Sequence, residues 1–76
     1  MINWVKWTED EWKEEGNKYS YINVWEIGLS SAERKRRKIG KYGFRARIGL
    51  NGKEIRRYFR SKKEAIEYAL NWMKEN

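Results

Sequence analysis

Residues Tyr42 to Ala69, YGFRARIGLNGKEIRRYFRSKKEAIEYA, decide the fold. Phe44, Ala46, Ile48 and Leu50 alternate with Arg45, Arg47 and Gly49, the period-two pattern of a strand with one apolar and one cationic face. Asn51-Gly52 follows, the dipeptide that best tolerates the two positive φ angles of a type I′ hairpin turn. A further strand is expected over Glu54 to Phe59, with Arg56, and Arg57 as a second candidate, beside Arg45 and Arg47. Like charges so placed repel unless an anion spans them, which suggests a ligand. Ser61-Lys62-Lys63-Glu64 then has the form of a capping box. It opens a helix running to about Lys74, whose stripe Ala65, Ile66, Ala69, Leu70, Met73 would cover the apolar face of the sheet.

Upstream, Tyr19 to Leu29 (YSYINVWEIGL) mixes aromatic and β-branched residues and reads as the first of three strands. Ile22 and Val24 would face one way, with Ile27 a further candidate, and Tyr21, Asn23 and Trp25 the other. Ser30 to Gly40 is polar and centred on Arg34-Lys35-Arg36-Arg37-Lys38, five like charges that predict either a mobile basic finger or a short helical extension. Thr8-Glu9-Asp10-Glu11 reads as another capping box, with Trp7 and Trp12 at the spacing of a hydrophobic staple. A helix is therefore expected over Glu9 to Glu15, stopped by Gly16. The fold class that results is α+β: one domain over 1–76, with an N-terminal helical extension (1–18) and a three-stranded antiparallel sheet packed on a C-terminal helix (19–76).

Charge is segregated along the chain. The net charge is +7, yet residues 1–30 hold three lysines against six acids. Between Arg34 and Lys63 there are fourteen Lys or Arg and one acid, Glu54. That distribution implies a positive face meeting a partner and a negative end directed elsewhere. The twelve aromatics, five of them Trp, can supply the core of a chain this short, which buries only about 60% of its unfolded surface. With no Cys and no His, and no carboxylate cluster at ligand or nucleophile spacing, the chain offers no catalytic site, no metal site and no cofactor motif. It is expected not to be an enzyme. No signal-peptide pattern or long apolar run is present, so an intracellular, cytoplasmic protein without membrane contact is expected.

Lys41-Tyr42, Phe44-Arg45-Ala46-Arg47-Ile48, Asn51-Gly52-Lys53 and Phe59-x-Ser61-x-x-Glu64-Ala65 leading into Tyr68-Ala69 resemble the integrase-type DNA-binding domain. That domain is shared by plant Apetala-two factors and by many phage integrases and homing endonucleases. The resemblance implies a protein of phage or mobile-element type that lays a three-stranded sheet in the major groove of duplex DNA. It implicates Trp25, Arg45, Arg47 and Arg56 in base and phosphate contacts. Arg34, Lys35, Arg36, Arg37, Lys38, Lys41, Lys53 and Arg57 complete the candidate nucleic-acid-binding set. The chain departs from the family pattern at Asn23, where Gly is usual, in its longer connection between the first two strands, and at Arg57-Tyr58, where Leu-Gly is usual.

Two other readings stand beside it. Ser61-Lys62-Lys63-Glu64-Ala65 also resembles the basic start of the second helix of a double-stranded RNA-binding domain, although that family's Gly-Pro and His signature is missing. An inhibitor or adaptor of the phage type, docking its basic face on an acidic protein surface, fits the same composition.

Overall fold

In the computed structural model, which describes residues 2–76, the period-two pattern of the basic segment is realised as a hairpin. Strand β4 (Phe44–Leu50) and strand β5 (Lys53–Phe59) pair antiparallel, with Leu50 opposite Lys53 across a two-residue turn. Asn51 and Gly52 take φ of 49° and 88° there, the left-handed values that make this dipeptide suitable. Strand β3 (Asn17–Glu26) lies on the other side of β4, setting Ile22 against Ile48 and Val24 against Ala46. These four side chains are essentially inaccessible to solvent. Fully burying an Ile or Val stabilises by about 1.5–3 kcal/mol, so this quartet is the centre of the core.

Helix α2 (Lys62–Glu75) lies over that face. Ser61 caps it, its hydroxyl accepting the Glu64 N–H at 3.2 Å. Ala65 and Ala69 are the fully buried helix residues, and their small side chains let the helix approach the sheet closely. Ile66, Tyr68, Trp72 and Met73 pack around them. Leu70, expected in this layer, is instead 42% exposed, because Trp72 and Tyr68 fill the flanks that it would have occupied.

The sheet has five strands, not three. Strand β1 (Trp4–Thr8) and strand β2 (Glu11–Glu14) occupy the segment expected to be helical, giving the meander β1-β2-β3-β4-β5 with every pair antiparallel. The capping residues still interact: Thr8 Oγ1 accepts from the Asp10 N–H at 3.3 Å and reaches Glu11 Oε1 at 3.2 Å. They close a tight turn rather than start a helix. A seven-residue helix has too few hydrogen bonds to offset its nucleation cost. As a strand, the same segment pairs the otherwise open edge of β3 and sets Trp12 opposite Ile22, 8% exposed. Gly16, expected as a helix stop, has φ of 79° in the β2–β3 turn. Trp4 meets the Trp72 ring edge-on, 5.9 Å between centroids, which ties β1 to the end of α2.

The basic run after β3 takes the ordered form of its two expected alternatives. Helix α1 (Ser31–Arg36) is capped by Ser30, which accepts the Glu33 N–H at 3.2 Å. Behind it Ile39 is buried at 3% exposure, pinning the return to β4. Among the described residues no helix is long and apolar enough to cross a membrane.

Candidate nucleic-acid interface

Among the described residues α2 packs on one face of the sheet and no helix covers the other, where Asn23 is nevertheless only 6% exposed beneath its longer neighbours. The register of β3, β4 and β5 arranges the side chains of that face in three rows. Trp25, Arg45 and Tyr58 form one row, Asn23, Arg47 and Arg56 the next, and Tyr21, Gly49 and Glu54 the third. Arg45 thus lies between two aromatic residues, and Arg47 directly opposite Arg56. The Tyr21 ring lies across β4 where a β-carbon at Gly49 would overlap it, so only Gly admits this arrangement. The Arg47 guanidinium stands 5.6 Å above the centre of that ring. Trp25 is 48% exposed.

The anion expected between the paired arginines is already present as Glu54. Its Oε1 accepts from Arg56 Nε at 2.7 Å and also contacts Arg47 Nε, while Oε2 accepts from Arg47 Nη2 at 3.4 Å. Arg56, then Arg47, holds the Glu54 carboxyl below its ordinary range, and Glu54 in turn raises Arg56. The Arg47 Nε contact is an ion pair without hydrogen-bond alignment. Arg45 Nε is likewise shielded from water with no acceptor, so two guanidinium donors on this face lack an aligned partner.

The other candidate residues divide by position. Arg37 of the α1 cap lines a cleft of about 140 Å³ together with Trp25 and Arg45, which places the basic run at the Trp25 end of the face. Lys35, Arg36, Lys38 and Lys41 are exposed but do not line that cleft, and Arg36 and Arg37 both lie near Glu33, at 2.6 and 3.4 Å. Arg34 is not part of this display. Its guanidinium donates to the carbonyls of Ile27 (2.8 Å), Leu29 (3.3 Å), Gly40 (3.4 Å) and Tyr42 (2.6 Å), making it the clamp of the loop. Arg57 and Lys53 also leave the group: opposite Ala46 and Leu50, they belong to the helix-side face, so only Arg56 joins Arg45 and Arg47.

Sequence reasoning placed Trp25 and Tyr21 on the correct side of β3, because alternation is local. It missed Glu54 as a partner and Tyr58 as the flank of Arg45. The signal for Glu54 was its two-residue spacing from Arg56, which puts both on one face of a strand.

The β1–β2 end of the same face differs. Val5, Trp7 and Tyr19, all more than 40% exposed, line a broad shallow depression with Lys13, Glu14 and Glu15, and the Lys13 ammonium sits 4.2 Å over the Trp7 ring. Comparison with known proteins adds no relative: no family model, curated protein or solved structure matches the chain.

Proposed function

We propose that the protein binds nucleic acid, duplex DNA foremost, through the uncovered face of β3, β4 and β5. The observation that carries this reading is the grouping of Arg45, Arg47 and Arg56 on that face with Arg37 of the α1 cap beside Trp25 at one end of it. Arginine recognises both phosphate oxygens and the O6/N7 edge of guanine, and aromatic neighbours such as Trp25 and Tyr58 add sugar and base contacts.

Five strands side by side would be too wide for a major groove of about 12 Å, whereas β3 to β5 span about 10 Å at 4.7–4.9 Å per strand. Adjacent strands rotate by roughly 20–25°, so the first strand is turned by about 80–100° from the last. The β1–β2 hairpin thereby leaves the plane in which β3 to β5 would lie on a duplex. The cations of α1, at the end of the ribbon, would meet flanking phosphates.

Fluorescence anisotropy with labelled random duplex DNA, A-form duplex RNA and single-stranded DNA, each at two salt concentrations, tests this. Salt-sensitive preference for duplex DNA is expected, with a log–log slope of roughly −0.9 per phosphate contacted. The Arg45→Ala/Arg47→Ala double variant should lose most binding and keep its fold, since both side chains point away from α2. Preference for the single strand would move the reading to base stacking on Trp25 and Tyr21. Preference for A-form RNA would favour the double-stranded RNA reading. Absence of binding to all three at low salt would leave an acidic protein surface as the partner of the arginine face.

A further inference from the structure

The mid-face pair Arg47 and Arg56 stands directly across β4–β5, close enough for one tetrahedral anion to touch both. We infer that this pair is a seat for a single phosphate, filled in the free protein by the Glu54 carboxylate, which a nucleic-acid phosphate must displace. That the arriving phosphate belongs to a nucleic acid rests on the function proposed above; the seat itself rests on geometry.

Four observations converge on it. Glu54 Oε1 is shared by the Nε atoms of both arginines, so one oxygen sits where a bridging phosphate oxygen would. Arg47 Nε is screened from water yet has no aligned acceptor, so the carboxylate fills the place without satisfying it. A phosphodiester offers two anionic oxygens at tetrahedral angles and can align with the Nε–H of both arginines, whereas the Glu54 carboxylate aligns with Arg56 Nε and takes from Arg47 only a 3.4 Å bond from Nη2. Glu54 is also the sole acid between Arg34 and Lys63. It is exposed at the residue level and reachable from solvent, so displacement needs only a rotation of its side chain.

The occupied seat has a functional meaning. A lone ion such as chloride gains little by entering it, because it must displace Glu54, which is tethered beside the pair and already cancels one of its two positive charges. A polyanion held by neighbouring cations at Arg45 and α1 competes at high local concentration and wins. The seat therefore disfavours small anions and weak non-specific contacts, at some loss of affinity for the intended partner.

The test compares wild type, Glu54→Gln and Glu67→Gln. Glu67→Gln removes the same charge from the exposed surface of α2. Two readouts are taken: anisotropy with random duplex DNA, and the Arg Nε–Hε resonances of 15N-labelled protein titrated with inorganic phosphate. The expected result is roughly three- to tenfold tighter duplex binding by Glu54→Gln, the size of two partly exposed ion pairs released. Phosphate should shift the Arg47 and Arg56 signals at lower concentration in that variant than in wild type. Glu67→Gln should match wild type in both. Equal tightening by Glu67→Gln would overturn the inference, leaving only net charge. So would unchanged phosphate shifts in Glu54→Gln. If no variant bound DNA while phosphate still moved Arg47 and Arg56 in Glu54→Gln, the function proposed above would fall and the seat would stand.

Discussion

The β1–β2 and β4–β5 hairpins flank β3 on opposite sides and are built from opposite materials. Over Trp4 to Glu14 there are two lysines against four acids, with three tryptophans; over Phe44 to Phe59 there are five cations against one acid. The β4–β5 hairpin is defined by its own residues, through strict alternation and a turn dipeptide made for positive φ. The β1–β2 hairpin is defined by its neighbours: Trp12 is buried opposite Ile22, and Trp4 is half-buried against the Trp72 ring. One hairpin brings its conformation to the fold and the other receives it.

That difference has consequences that can be measured. The largest is at Trp12, the one side chain of the N-terminal hairpin that is buried in the common core. Trp12→Ala should destabilise by about 3–5 kcal/mol in urea unfolding, with a single transition in wild type. Two transitions in wild type, the first confined to β1–β2, would break the comparison by making the N-terminal hairpin an independent appendage.

A smaller effect is expected at the β3–β4 seam. Gly49→Ala would force the Tyr21 ring off its strand, at about 1 kcal/mol, the low end for overpacking because the ring can swing into solvent. In the Tyr21→Ala background the same substitution should cost less than alone, and a double-mutant cycle reads the difference. Additivity would mean that ring and glycine do not act together.

The smallest effects distinguish the two hairpins by pH. Glu54 has a carboxyl held below its ordinary value of 4.5, so its contribution to β4–β5 is fully present above that value and fades as pH falls through the lower folded-state value. Lys62 has its ammonium raised above the ordinary 10.5, first by its close ion pair with Asp10 in the β1–β2 turn, 3.1 Å away, so that link persists below 10.5 and fades as pH rises further. Melting temperatures across pH should show Glu54→Gln flattening the acid limb alone and Lys62→Met the alkaline limb alone.

The same contrast explains which parts of the molecule were legible in the sequence. The β4–β5 turn, the alternation of Arg45 and Arg47, and the Ser61 cap are local signals, and each is present in the structure. Thr8 to Glu11 is a local signal too, and its side chains do hydrogen-bond in the turn; the backbone between them nevertheless follows the open edge of β3. A capping box reports hydrogen-bonding capacity, which a tight turn satisfies as well as a helix does. On the arginine face, strand membership was readable from alternation, but Glu54 bridging Arg47 and Arg56 depends on cross-strand register. Arg34 among four carbonyls depends on a loop closing over five to eight residues. Charge runs carry no label that separates a structural guanidinium from a free one.

That clamp bears on the heat of association. Because Arg34 holds the Ile27, Leu29, Gly40 and Tyr42 carbonyls and Ile39 is buried beneath the loop, α1 is folded before any partner arrives. Ordering a flexible segment on contact commonly consumes about 2–5 kcal/mol of the gross interaction energy and leaves a large negative heat-capacity change. If the arginine face binds nucleic acid as proposed, its cations arrive on an ordered mount, and calorimetric binding enthalpies at several temperatures should give a heat-capacity change set by the contact area alone.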